Sequence, residues 1–359
     1  MDDKTLVALL RVRLLPFVVA IAVVPADVCG APLFESDETL SITITAPMRH
    51  LLRHRRSQQE YDAVLSYTDA AGAVQRLNIQ ITTRGHSRLE GCDFPPLRLI
   101  FDPEKSRSTV FEGQRRVKMV TQCKSGPRGK DWLSQEFGIY RAYNAISDYS
   151  YRVRRLEVTF RETESKRWQR VQKVFLIEPI GEAASRLQRE AIRPLQIKAE
   201  QFSVVEIAHN MLFQYLIGNT DFAVKRGPSG EKCCHNGRVL AEPDRNDEWV
   251  VLPFDFDQAG VINTNCALPD ERLPISRVST RLYRGFCWHN AELLQSIALF
   301  KERRSDITDA LLPPELSTSR NKRVLRFIDR FYDIVDDPQG LKREILSKCR
   351  GPQALPVAN

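Results

Sequence analysis

Three short segments carry the side chains best suited to chemistry: Gly218-Asn219-Thr220-Asp221, His235-Asn236 and Asp255-Phe256-Asp257. Asp221 follows an apolar stretch, 202–217, that reads as a helix closed by Gly218, because glycine readily takes the left-handed conformation that ends a helix. A carboxylate on the loop just beyond a rigid element is both held and reachable. Asp255 and Asp257 follow the apolar run 250–254. If the strand continues through them, residues two apart face one side. Both carboxylates then point at one spot suited to a hard divalent cation such as Mg²⁺ or Mn²⁺, while Phe254 and Phe256 turn to the buried side.

One aspartate to take a hydroxyl proton, with an amide and two further carboxylates to hold metal against phosphates, is the equipment of phosphoryl transfer. The transferring group carries charge that must be neutralised as its bond breaks. On this reading Asp221 is the base, and Asn236, Asp255 and Asp257 are the metal ligands. The other cluster of donors is Cys233-Cys234-His235, Cys266 and Cys287-Trp288-His289. It lacks the Cys-x-x-Cys spacing of zinc sites, which favours disulfides. Dinucleotide, Walker and nucleophile-elbow motifs are absent from the sequence.

The elements that must position these groups can be read along the chain. Alternating runs at 40–44, 61–67, 77–82, 97–101 and 117–120 predict strands of an antiparallel meander, with a turn at 69–72. Leu133, Phe137, Tyr140, Tyr143 and Ile146 lie at helical spacing, which predicts a helix over 131–148 with Asp131 as its N-cap. Strands at 153–160 and 171–178 follow, and then helices at 202–217, 290–300, 305–312, 319–335 and 341–348. The expected fold is α+β: a strand-rich N-terminal lobe with one long helix, about 36–178, and a mostly helical C-terminal lobe, about 181–349. A hinge at Glu178-Pro179-Ile180-Gly181 joins them, and a tail follows over 350–359. A crevice between two lobes is where a ligand binds.

The N-terminus adds a compartment. Lys4, Arg11 and Arg13 precede the apolar run 14–24, which is short for a bilayer span and fits a signal segment over 1–31. That places the mature chain in the periplasm or outside the cell, with no later stretch apolar enough to span a membrane. Export permits disulfides. Removing Cys29 with the leader leaves an odd number of cysteines, so at least one stays free, and Cys92 with Cys123 is one pairing to expect. The net charge of +8 is spread along 359 residues without a long Lys/Arg block, so nucleic acid is not an expected partner.

Over most of the mature chain the sequence resembles the CotH-type atypical kinases, named for a spore-coat protein. The resemblance is carried by Pro253-Phe254-Asp255-Phe256-Asp257 after an Asp/Asn loop, by Thr83-Arg84-Gly85-His86-Ser87, and by the strand Pro96-Leu97-Arg98-Leu99-Ile100-Phe101. It implies a kinase-like two-lobed fold, ATP or another nucleotide with Mg²⁺ or Mn²⁺, and a protein substrate. It also implies that Asp221 is catalytic, that Asp255 is the principal metal ligand, and that Asn236 and Asp257 assist. The chain departs from the family at two places. The loop from Asp221 to Asn236 is long, and Ile100 stands where the family strand has a lysine. A phosphate-binding lysine must then come from elsewhere: Lys118 is the first candidate and Lys124 the second, with Glu136 on the long helix as the partner of Lys118. Glu178 at the hinge completes the expected nucleotide-binding set. Two other readings use the same residues: a non-catalytic envelope binding or scaffold protein on this fold, and a metal-dependent hydrolase with water as nucleophile.

Overall fold

The computed structural model describes residues 33–165 and 167–351. The expected signal segment and most of the expected tail lie outside the described residues.

The first strands are β1 (Leu40–Ala46), β2 (Tyr61–Thr68) and β3 (Val74–Thr83), with a short helix α1 (Met48–Arg53) after β1. A one-turn helix α2 (Ser87–Gly91) leads to β4 (Leu97–Ile100) and β5 (Arg116–Val120). The long helix α3 (Pro127–Asn144) is followed by the hairpin of β6 (Val153–Glu162) and β7 (Gln169–Ile177). Neighbours run β1-β2-β3-β4-β5-β7-β6, and β1 pairs with β6 to close the ring. The closing pair is parallel, from Leu40 opposite Leu156 to Ala46 opposite Glu162, whereas every other pair in the ring is antiparallel.

This closure corrects the expected fold. The α+β content is present, but the N-terminal part is a closed seven-stranded mixed barrel, not the strand-rich lobe of a kinase-like two-lobed fold, and not a simple antiparallel meander. Closure removes both free sheet edges. The period-two alternation then fills one interior: Ile42, Ile44, Leu65, Ile81, Leu99, Val117, Met119, Val158 and Phe160 are all buried there.

A second core lies against the barrel. It is built by α3, α5 (Val204–Ile217), α6 (Asn290–Glu302), α7 (Arg304–Leu311), α8 (Thr318–Asp336) and α9 (Pro338–Glu344). Between these helices lie α4 (Ile180–Arg186) and a small sheet ordered β10 (Val250–Pro253), β9 (Gly237–Ala241), β8 (Glu190–Ile192). Helix α3 starts at Pro127, ahead of the expected Asp131, and proline suits the first helical position because its missing N–H needs no partner there. Asp131 does not cap; it accepts from the backbone N–H and the hydroxyl of Ser317 at 3.2 and 2.9 Å. Gly138 lets α3 lie against α7, since a Cβ there would stand 2.3 Å from the carbonyl oxygen of Ala310.

Three disulfides form: Cys92–Cys123, as expected, with Cys233–Cys234 and Cys287–Cys349. Cys266 is the free, exposed thiol among the described residues. No helix among them is long and apolar enough to cross a membrane.

Candidate functional site

Helix α5 ends at Gly218, whose φ of +66° is the left-handed stop expected from the sequence. The chain then turns on Asn219. Its Oδ1 accepts the backbone N–H of Asp221 at 3.0 Å, and its Nδ2 donates to Gln214 Oε1 at 2.9 Å. Asp221 is thereby fixed at the mouth of a rigid helix with its carboxylate half-exposed.

The long loop to Asn236 does not carry that residue away. It doubles back, and Ala223 and His235 exchange backbone hydrogen bonds at 3.1 Å each way. The return places His235 Nε2 2.9 Å from Asp221 Oδ1. Asn236 Nδ2 donates to Asp221 Oδ2 at 3.0 Å and to its backbone carbonyl at 2.7 Å. The hydrogen bond that His235 donates to the Asp221 carboxylate holds the histidine pKa above its ordinary value despite partial burial.

Strand β9 leaves Asn236 and pairs antiparallel with β10, which returns to the same point. There the expected geometry is corrected. The strand stops at Pro253, and Asp255 takes a φ of +62° with its N–H donated to the Tyr140 hydroxyl at 3.0 Å. The two carboxylates are therefore not brought together by strand alternation. A guanidinium gathers them: Arg88 on α2 meets Asp257 Oδ2 at 2.8 Å and Asp255 Oδ1 at 3.4 Å, and both oxygens of Glu136 on α3 at 3.1 Å. Phe256 is fully buried as expected, but Phe254 lines the cavity.

Electrostatics at this point are tight. Burial pushes Glu136 up to about 7 against the pull of Arg88. Burial likewise raises Asp257, helped by the charges of Asp255 and Asp221 and opposed by Arg88. For Arg88 burial acts downward, and Glu136, Asp257 and Asp255 outweigh it to hold the guanidinium well above its ordinary value. The three carboxylates make Arg88 a fixed internal cation.

Asp221, Asn236, Asp255, Asp257 and Glu136 all line one cavity of about 570 Å³, together with Arg84 of the turn before α2 and Ser87 at the start of that helix. Lys118 adjoins it. Its ammonium lies 4.4 Å from the centroid of the Phe254 ring, with the Arg238 guanidinium 4.7 Å from the same ring. Burial, with Arg84 and Arg238 nearby, pulls Lys118 down to about 7. The expected pair of Lys118 with Glu136 does not form, because Arg88 takes both oxygens of Glu136. Lys124, the second candidate, pairs with Asp93 at 3.2 Å. Glu178 is not among the residues lining the cavity. It is buried in a two-pronged pair with Arg186 at 2.9 and 2.8 Å and accepts the N–H of Arg152 at 3.0 Å.

Arg88 and Tyr140 hold the site without having been singled out as doing so. Arg88 stands one residue beyond the Arg84–Ser87 turn, but its partners are 48, 167 and 169 residues away. Nothing local in the sequence signals such contacts.

For a divalent cation the donor chemistry fits in kind. Two carboxylates and an amide oxygen are hard ligands facing one cavity, and Arg88 engages only one oxygen each of Asp255 and Asp257. Among the described residues, no three His, Cys, Asp or Glu side chains already converge as a metal site. A scan of family models finds no match to this chain, and a search of curated proteins finds none either.

Proposed function

We propose that this chain transfers a phosphoryl group from ATP or another nucleotide to a hydroxyl, best sought on a protein exported to the same compartment, the periplasm or the cell exterior. The observation that carries this reading is Asp221, oriented by His235 and Asn236, opening on the same cavity as Asp255, Asp257 and the cation Arg84. The acceptor oxygen forms its bond to the terminal phosphorus as the bond from that phosphorus to the bridging oxygen breaks. The hydroxyl proton passes to the Asp221 carboxylate, and the nucleoside diphosphate leaves. Arg84, and Lys118 in its protonated form, supply positive charge for the phosphates. Asn236, Asp255 and Asp257 are the residues to hold Mg²⁺ or Mn²⁺, which when bound neutralises phosphate charge during transfer. The CotH-type resemblance of the Asp motifs supports the same roles, and the three disulfides support an oxidising compartment.

The test is incubation of the purified chain with labelled ATP and Mg²⁺ or Mn²⁺, beside Asp221→Ala and Asp255→Ala. Label on the wild type alone supports the assignment; equal label on Asp221→Ala removes it. A second reading, a binding module that no longer transfers phosphate, draws on Arg88, which already bridges Asp255 and Asp257. It is favoured if ATP with Mg²⁺ raises the melting temperature, as a ligand of the folded state must, while no label is transferred.

A further inference from the structure

Asp221 and His235 also line a second, larger cleft of about 1090 Å³ on the other side of the pair. Gln258 and Leu268 are common to both cavities as well. The two spaces therefore meet at the proposed base; Glu136, Asp255 and Asp257 face the first, whereas in the second the cations outnumber the carboxylates Glu200, Asp221 and Asp270.

The cations of the second cleft are unusual in their partners. Arg272 is matched by Asp270. Lys198, Lys225, Arg226, Arg284 and Arg350 make no salt bridge among the described residues, and Asp270 and Asp221 act on Arg284 only from longer range. Arg226 donates to the neutral amide of Gln196 at 3.0 Å. Lys225 and Arg350 lie over the Phe286 ring at 5.7 and 4.9 Å from its centroid. Arg284 donates to the carbonyls of Thr220 and of Phe222, the latter at 2.9 Å, and so grips the chain on both sides of Asp221. Cations that outnumber the carboxylates beside them repel one another, and a bound anion relieves that cost. Burial, and then Arg350 beside it, pull Arg284 down to about 10, which leaves it charged at neutral pH.

We propose that this cleft is the acceptor site and that it takes an acidic peptide, in which a serine or threonine flanked by aspartate or glutamate reaches Asp221. The assignment rests on reading Asp221 as the base of a phosphoryl transfer. The apolar part of the wall argues for a peptide over a phosphate polymer. Phe222, Phe286 and Val278 floor the cleft, and Leu268, 79% exposed, stands at its junction with the first cavity. Such surface rewards a side chain with an apolar part and offers a bare polyanion nothing. Arg284 is a positioning residue, because it holds the carbonyls on both sides of Asp221 while lining the cleft.

The experiment is binding of fluorescently labelled peptides to the full chain without nucleotide, followed by phosphate transfer to the same peptides. Three peptides carry a central serine flanked by glutamate, by glutamine or by lysine. The glutamate peptide is expected to bind at least about tenfold tighter than the other two at low salt, with the advantage shrinking as salt rises. The double variant Lys225→Glu, Arg226→Glu is expected to invert the preference, and Lys225→Ser, Arg226→Ser to abolish it, both with an unchanged melting profile because the two side chains are exposed. Equal binding of glutamine and glutamate peptides overturns the proposal. So does a preference that survives charge reversal, or binding of inorganic polyphosphate where the glutamate peptide does not bind. Acidic-peptide binding without transfer keeps the cleft and defeats the phosphoryl-transfer reading. Transfer to all three peptides alike does the reverse.

Discussion

Two sets of carboxylates meet at one cavity, and they are held in opposite ways. Asp255, Asp257 and Glu136 share the buried guanidinium of Arg88, whose side chain is 15% exposed. Asp221, 41% exposed, is held by a histidine as exposed as itself and by an amide. The first set couples the barrel side, through α2, to α3 and to the loop after β10, so its charges also hold the fold. The second closes one loop on itself and can change protonation without disturbing the core. A buried charge that loses its partner is costly, whereas an exposed pair contributes little. The difference predicts that loss of Arg88 costs stability, whereas loss of Asp221 leaves the fold nearly as stable as before.

The largest expected effect is therefore that of Arg88→Ala. It strips the counter-charge from Glu136, which is 6% exposed at the side chain, and from two neighbouring carboxylates. A loss of about 3–5 kcal/mol in denaturant unfolding is expected. A loss under about 1 kcal/mol, the level of an exposed pair, breaks the contrast. Next in size is Asp257→Asn. It removes one charge from a crowded acidic set, where burial and Asp255 already raise its pKa, but it also weakens the 2.8 Å bond to Arg88. A net cost of about 1–2 kcal/mol is expected. Stabilisation instead would mean that repulsion among the carboxylates outweighs the bond.

Lys118 sharpens the contrast from the cationic side. Its pKa is drawn down to about 7 by burial, then by Arg84 and Arg238. A lysine depressed in the folded state binds fewer protons there than in the unfolded chain between pH 7 and its ordinary value near 10.5. Stability therefore rises with pH across that window, and the full cost of the charge is present below pH 7. Lys118→Met is expected to raise the melting temperature most at pH 6 and least near pH 10. It is also expected to remove that part of ATP affinity which falls as pH rises through 7. A melting gain independent of pH would place the effect in packing against Phe254.

How much of this was legible in the sequence depends on the range of the contact. Period-two alternation marks β1 to β7, and Gly218 marks the end of α5, because both signals lie within a few residues. The closing pair of β1 with β6 joins residues 116 apart, such as Leu40 and Leu156, and no local pattern encodes it. A seven-stranded barrel and an open sheet of the same strands share one alternation. The site divides the same way. Asn236, Asp255 and Asp257 were identifiable as candidate hard ligands, and Asp221 as a candidate base, by type and order. That Arg88 would gather Asp255, Asp257 and Glu136, and so deny Lys118 its partner, depends on where α2 comes to rest. Glu178 was placed by its position at the joint, where Arg186 on α4, a helix without a clear periodic signal, instead fixes it. Asp255 shows the limit within a motif: Asp-Phe-Asp reads as strand, but β10 stops at Pro253, and the left-handed Asp255, its N–H donated to the Tyr140 hydroxyl, takes the chain out of it.

The smallest effect belongs to the exposed pair. The hydrogen bond to Asp221 raises His235 above 6.5, the value it takes when unpartnered. A base raised in the folded state contributes stability that is complete below that value and is lost as pH rises through the folded pKa. At 40% exposure solvent screens the pair, so under about 1 kcal/mol is expected. His235→Gln should flatten the change in melting temperature between pH 6 and pH 8 while scarcely moving its mean. Its effect on transfer should be larger than its effect on stability. Protonated His235 competes with the acceptor hydroxyl for Asp221, so wild-type activity should climb as pH rises through the histidine pKa. In His235→Gln that climb should be absent, and kcat should change more than KM. If the variant keeps the wild-type pH profile, the titration belongs elsewhere, and Lys118 and Glu136, both drawn toward 7, are the groups to replace next.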